Sequence, residues 1–259
     1  MVEDKNNPFF TSNTRLVFNW GGTSDKVQTI ITTLKSRSHN EIVVDRLQYY
    51  IKYLRKGEYF FQDVYGEVPF YVEIDKTKGQ LFGQPIKIKF LSPTQYELSV
   101  DFGEATSART MQYSDLISQP VNVSGGVFKK NYKINEEVAL PFLNLKVIIK
   151  PEAYEYTNQE YYVRFDDFNS TVATYKGIDV SADVKALSVV RLQMECSNKY
   201  RLVEYLNTTV DVLRKIQLES KNQFANNTIG FIDSTLREME GQIKEAENEL
   251  KEFRRGKNI

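Results

Sequence analysis

Between Ala225 and Phe253 the apolar residues recur at alternating spacings of four and three: Ala225, Ile229, Ile232, Leu236, Met239, Ile243, Ala246, Leu250 and Phe253. Heptads held in phase over this length form a coiled-coil seam, narrower than the stripe with which a surface helix packs on its own domain. Glu245, Glu247 and Glu249 lie among Lys244, Lys251 and Arg254 outside the seam, as on a solvated face. Nothing upstream interrupts this helix. All seven prolines fall between Pro8 and Pro151, and only Gly230, Gly241 and Gly256 remain after Gly177. Proline breaks helices and glycine weakens them, so the pattern predicts one helix from Tyr200 to about Arg255. At 1.5 Å per residue it would be about 80 Å long and would project from a domain of this size. Its first turns place Leu202, Leu206, Val210, Leu213 and Ile216 or Gln217 on one face. A long helix is marginal in water unless an apolar face is buried. The seam ends just before Ile259, so its partner helix is expected either in another subunit or in sequence outside this chain, the latter favoured.

The rest of the chain is read by local pattern. RLVFNW (15–20) has the composition of a strand and is closed by Gly21-Gly22. A helix with Val27, Ile30, Ile31 and Leu34 follows, and a second with Ile42, Val43 and Leu47, for which Ser38 and Glu41 have capping-box spacing. QYYIKYL (48–54) and EYFFQDVY (58–65) read as extended. From Pro69 to about Ile178 short alternating runs dominate: 70–75, 85–91, 95–100, 127–134, 143–150 and 161–165, with turn signals between them. A last strand, 186–195, is expected to pair with 15–20. The expected fold class is α+β: an α/β base (14–68 plus 180–199), an inserted antiparallel β-sandwich-like domain (69–179), and a long projecting C-terminal helix (200–259).

Catalytic chemistry finds little support. Lys plus Arg and Asp plus Glu are equal at 34 each, which removes the basic field that nucleic-acid binding needs. His39 and Cys196 stand alone of their kinds, too few for a zinc site or a Cys/His pair. His39 is expected on an exposed loop and Cys196 as a small buried residue. Gly21-Gly22-Thr23-Ser24-Asp25-Lys26 lacks the spacing of a phosphate loop. Asp166-Asp167 and Glu136-Glu137 are carboxylate neighbours, which face opposite ways on a strand. No catalytic residue, metal ligand or cofactor is assigned. The start, MVEDKNNPFF, lacks the layout of a signal peptide, and no apolar run approaches a membrane span.

The 16 tyrosines and 16 phenylalanines admit two readings, a packed β core or a surface that stacks on sugars. Tyr154, Tyr156, Tyr161 and Tyr162 are the densest group and the candidate glycan contacts. Of the sequons at Asn122, Asn169, Asn207 and Asn226, Asn207 falls in a predicted helix.

Residues 219–255, with Phe231-Ile232-Asp233 and Glu252-Phe253-Arg254 at either end of the heptad run, resemble the signature of the bacterial polysaccharide chain-length determinants and their tyrosine-autokinase relatives, the polysaccharide co-polymerases. VVRLQMECSNKYRLVEYLNTTVDVLRK (189–215) resembles that family's strand and helix, and LKSRSHNEIVVDRL (34–47) its helix near the start. YGEVPFYVEI (65–74) and LFGQPIKIKFLSPTQYELS (81–99) look like the β insertion of capsule and exopolysaccharide members from Bacteroidetes-like bacteria. The resemblance implies a periplasmic region of an inner-membrane protein, anchored by flanking helices absent here. It implies a homo-oligomer that acts with a polysaccharide polymerase or export machinery to set polymer length. A cytoplasmic kinase domain in the parent stays open, since no Walker-type loop is present. Ile232, Leu236, Met239, Ile243, Leu250 and Phe253 would then be packing residues of the arm. The alternative reading is a carbohydrate-binding or periplasmic adaptor module acting through the β insert.

Overall fold

The computed structural model describes residues 23–182 and 189–256. The expected strand at 15–20, Trp20 and the Gly21-Gly22 turn lie outside the described residues. The chain divides into two compact units, one up to Thr209 and one from Val210 onward.

The first unit opens with helix α1 (Thr23–Lys35) and helix α2 (Arg37–Leu47). The capping box expected at Ser38 is not used; Ser36 is the cap and accepts from the backbone N–H of His39 at 3.2 Å. Gln48 at φ 50° then ends α2 in a left-handed cap and turns the chain into strand β1 (Ile51–Lys56). The other strands are β2 (Phe61–Asp63), β3 (Phe70–Ile74), β4 (Gln80–Leu81), β5 (Ile86–Ser92), β6 (Gln95–Asp101), β7 (Ser107–Gln112), β8 (Ile117–Asn122), β9 (Val127–Lys133), β10 (Glu137–Leu140), β11 (Leu143–Ile149) and β12 (Glu160–Phe165). Helix α3 (Phe168–Tyr175) and strands β13 (Asp179–Ala182) and β14 (Val190–Gln193) complete the body.

One antiparallel sheet has the order β2-β1-β12-β5-β6-β9; smaller sheets are β10-β11-β3, β4-β7-β8 and β13-β14. Alternation decides what is buried. Ile86, Ile88 and Phe90 of β5, Leu143, Leu145 and Val147 of β11, and Tyr161, Val163 and Phe165 of β12 face inward, while the residues between them are more exposed. Phe70 of β3 meets Phe90 and Tyr161 edge-on at 5.4 and 5.7 Å, so aromatic rings bridge two sheets as in a sandwich.

The expected boundary at residue 68/69 falls inside a sheet. Strand β1, assigned to the base, pairs with β12, assigned to the insert, from Ile51↔Phe165 to Leu54↔Tyr162. The segment also hydrogen-bonds beyond that ladder, with Asp166 N donating to Tyr50 O at 2.8 Å. Base and insert therefore share backbone pairing. The last strand pairs with Asp179–Ala182 among the described residues; its expected pairing with 15–20 lies outside them. The fold class is α+β, with a C-terminal helix α4 of 58 residues, Lys199–Gly256.

Candidate functional site

Helix α4 begins in the first unit, where its root is held by a polar and aromatic cluster. Asn198 precedes the helix, and its Oδ1 accepts from the N–H groups of Tyr200 and Arg201 at 2.9 and 3.1 Å, the bonding of an N-cap. Its amide donates to the carbonyls of Asp63 and Tyr65 at 3.1 and 3.0 Å. One side chain thus starts the helix and ties it to the end of β2.

Arg201 is 1 % exposed. Its Nε donates to Asp63 Oδ2 at 2.7 Å and its Nη2 to Ile51 O at 3.0 Å. The guanidinium lies 4.8 Å from the ring centroid of Tyr49 and 4.2 Å from that of Tyr65. Burying such a charge is costly unless it is paired, and here a carboxylate, a carbonyl and two ring faces replace its water. Tyr49 donates to Arg201 O at 2.8 Å, and Tyr65 to Glu204. One turn further, the hydroxyl of Tyr205 meets Asn40 Oδ1 and, at 3.1 Å, Tyr175 O. Burial pushes the hydroxyls of Tyr53, Tyr175 and Tyr205 up to about 12, and those of Tyr49 and Tyr65 higher still.

Gly66 permits this approach. Its φ is +84°, and a Cβ there would lie 2.5 Å from Tyr200 Cγ. Beside it, Tyr53, Tyr65, Phe70, Val72, Tyr200 and Val203 line a groove of about 750 Å³. The buried face at the root is Arg201, Tyr205 and Thr209, whereas Leu202 and Leu206 are half-buried and Val210 is 39 % exposed. The apolar face expected from Leu202, Leu206 and Val210 is thus displaced: Arg201 and Tyr205, hydrogen-bonded through Nε, Nη2 and the phenol, take the inner positions with Thr209, whose Oγ1, like Arg201 Nη1, is buried without a hydrogen-bond partner among the described residues.

The second unit is helix throughout its described length and presents the seam to solvent. Ile229 is 57 % exposed, Ile232 50 %, Leu236 53 %, Met239 41 %, Ile243 59 %, Leu250 50 % and Phe253 59 %. Fully burying one such side chain is worth roughly 1.5–3 kcal/mol, a gain these residues only partly realise in this structure. No helix among the described residues is long and apolar enough to cross a membrane.

The other candidate residues lie elsewhere in the first unit. Tyr154, Tyr156 and Tyr161 line one hollow of about 320 Å³ with Arg55 and Lys150. Tyr154 is 86 % exposed, but Tyr161 is 2 % exposed with its ring against Phe70, so it offers no open face to a sugar. Tyr162, one residue on, faces the other way and packs on Phe61. Asp166 receives both Arg164 Nε and Nη2, at 2.6 and 3.0 Å, and Asp167 caps α3 through Ser170 N. Glu136 accepts from Lys133 N and Glu137 pairs with Lys78. His39 lies inside α2 and is buried, not on an exposed loop; burial lowers its pKa, against an opposing contribution from the backbone of Thr209. Cys196 is exposed rather than buried. Among the described residues no group of three or more His, Cys, Asp or Glu is placed to hold a metal ion.

No family model matches this chain, and no curated protein is found similar to it.

Proposed function

We propose that this chain is an assembly scaffold: the extracytoplasmic region of a polysaccharide co-polymerase, whose heptad helix joins protomers or helices into the unit that governs polymer length or export. The observation that carries the reading is the exposed seam of Ile229, Ile232, Leu236, Met239, Ile243 and Leu250, kept in phase along a helix whose root is fixed by Asn198 and Arg201. An apolar row of this regularity has its use in pairing with another helix. The polysaccharide context rests on the resemblance of residues 34–47, 65–74, 81–99, 189–215 and 219–255 to that family. In this reading the chain carries no reaction of its own. It acts at the periplasmic face of the inner membrane, with itself and a polymerase or export machinery as partners.

The test is Leu236→Asp with Ile243→Asp in the full-length protein in its host. Dispersed assemblies and an altered distribution of surface-polysaccharide lengths are expected. Wild-type assembly together with wild-type polymer would overturn the scaffold role.

A further inference from the structure

Three consecutive aromatic residues crown the β1–β2 hairpin. Tyr59 is 86 % exposed, Phe60 67 % and Phe61 38 %. Gly57 N donates to Phe60 O at 3.0 Å and closes the turn, and a Cβ at Gly57 would lie 2.8 Å from that carbonyl. Every residue from Arg55 to Gln62 other than Gly57 is exposed, so the end of the hairpin stands clear of the sheet. Phe61 rests edge-on against Tyr162 at 4.9 Å, but Tyr59 and Phe60 meet no ring among the described residues. The sandwich does not use them.

We infer that this tip is a lipid-contact surface: Tyr59 and Phe60 enter the interfacial layer of a bilayer while Arg55 and Lys56 lie against its anionic headgroups. Aromatic rings favour that layer, and Tyr suits it because one end is apolar and the other can stay wet. The charge beside the rings is of the matching sign. Arg55 and Lys56 have no carboxylate partner among the described residues, and the tip carries one acid, Glu58. Exposed Lys and Arg close to an anionic surface are drawn to it. A protein partner fits the feature less well. A specific protein interface engages about 20–30 residues on each side, far more than a projecting turn supplies, whereas a bilayer accepts a small wedge. The contact belongs to the folded body itself and needs neither the heptad seam nor any membrane-spanning helix.

The stem gives the contact a consequence. Leu54↔Asp63 is the rung at the base of the hairpin. Asp63 Oδ2 accepts from Arg201 Nε at 2.7 Å, and its carbonyl accepts from the Asn198 amide at 3.1 Å. The hairpin and the first turn of α4 are therefore held as one piece, and a tip docked on lipid fixes where that helix starts relative to the surface. The buried Arg201–Asp63 pair then transmits position as well as holding the fold.

The experiment uses the whole chain with Cys196→Ser, and a polarity-sensitive fluorophore on Glu58→Cys or, at the opposite edge of the same sheet, on Lys129→Cys. The probe is a vesicle of phosphatidylethanolamine with about 30 % phosphatidylglycerol. The label at residue 58 should shift to the blue and be quenched by brominated lipid, and the label at 129 should do neither. In unlabelled chains, Tyr59→Ser with Phe60→Ser should weaken vesicle binding at least about 10-fold and leave the unfolding transition in place, since both rings are exposed. Lys56→Gln should weaken it about 5-fold, and purely zwitterionic vesicles should bind less than anionic ones. A chain that ignores vesicles, or that binds them while the label at 58 stays in water, overturns the inference. So does binding unchanged by Tyr59→Ser with Phe60→Ser. The scaffold reading fails separately: a tip that inserts while Leu236→Asp with Ile243→Asp leaves assembly and polymer unaltered keeps the lipid contact and loses the scaffold.

Discussion

Arg201 donates to Asp63 at 2.7 Å across 138 residues of sequence, joining the first turn of the long helix to the end of an edge strand. A cation near a helix N-terminus works against the helix dipole, and this one is also buried. The pair therefore holds only as a unit. Arg201→Met strands the Asp63 carboxylate and Asp63→Asn leaves the guanidinium without its counter-charge. Each should lower stability by about 3–5 kcal/mol, the usual cost of breaking a buried pair from one side. The double variant should cost less than the sum of the two. Urea unfolding of the four proteins measures the coupling, and additive losses would show that the pair does not act together.

Gly66 makes a separate prediction. At φ +84° a side chain is strained, and here its Cβ would also sit 2.5 Å from a ring atom of Tyr200. Tyr200 follows the capping Asn198 and cannot withdraw without disturbing the cap. Gly66→Ala should cost at least about 2 kcal/mol. Gly83, also at positive φ but with open space around its would-be Cβ, is the control. Gly83→Ala should cost only the backbone strain, about 1 kcal/mol. Equal losses in the two thermal unfolding curves would mean that the contact with Tyr200 is not tight.

Stability should vary with pH at both ends, with signs set by three groups. His39 titrates below its ordinary 6.5 when folded, chiefly because it is buried. The unfolded chain therefore takes up a proton first, and stability falls as pH drops below 6.5. Burial likewise holds Lys52 down at about 8 against 10.5, so stability rises with pH between about 8 and 10.5. The buried tyrosines act in the opposite sense, since Tyr53, Tyr175 and Tyr205 stay protonated up to about 12; stability falls above pH 10 as the unfolded chain ionises first. Denaturant midpoints across pH would show this, and His39→Gln should flatten the acid limb while Lys52→Met flattens the rise above 8. An acid limb unchanged by His39→Gln would assign it to carboxylates.

The parts legible in the sequence were those with a strong period. The alternation of 85–91 and 143–150 marks the strands found at Ile86–Ser92 and Leu143–Ile149, and the four-three spacing marks a helix within a residue or so of its ends. What escaped was pairing between distant segments. Nothing local in IKYLRK says that its partner is EYYVRF, more than a hundred residues later, so a boundary read from local pattern cuts through a sheet. Strand β8, ISQPVN, carries a proline and is largely exposed, so neither composition nor alternation marked it. The helix root hides its inward face for a related reason. Arg201, Tyr205 and Thr209 look like a polar face, and only the placement of Asp63, Asn40 and Tyr175 turns that face inward. A clue was present in the polar spacing i, i+4, i+8, which repeats as regularly as an apolar stripe.

Tyr154 and Tyr161 were grouped by sequence and should separate by experiment. Tyr161 packs on Phe70 at 5.7 Å, carries Arg55 5.4 Å from its ring centroid and is 2 % exposed. Removing its ring opens a cavity in the sandwich, so Tyr161→Ala should cost about 3–5 kcal/mol, the range for buried aromatics. Tyr154, at 86 % exposed, makes no such contribution, and Tyr154→Ala should leave stability within about 0.5 kcal/mol of wild type. The pair therefore tests the glycan reading of this surface more sharply than Tyr161→Ala alone, whose loss of binding would only report loss of folding. Polysaccharide titrations of Tyr154→Ala and Tyr156→Ala, both verified as folded, should match wild type if the chain is a scaffold. A saturable signal in wild type that Tyr154→Ala abolishes would move the function to this hollow and away from the seam.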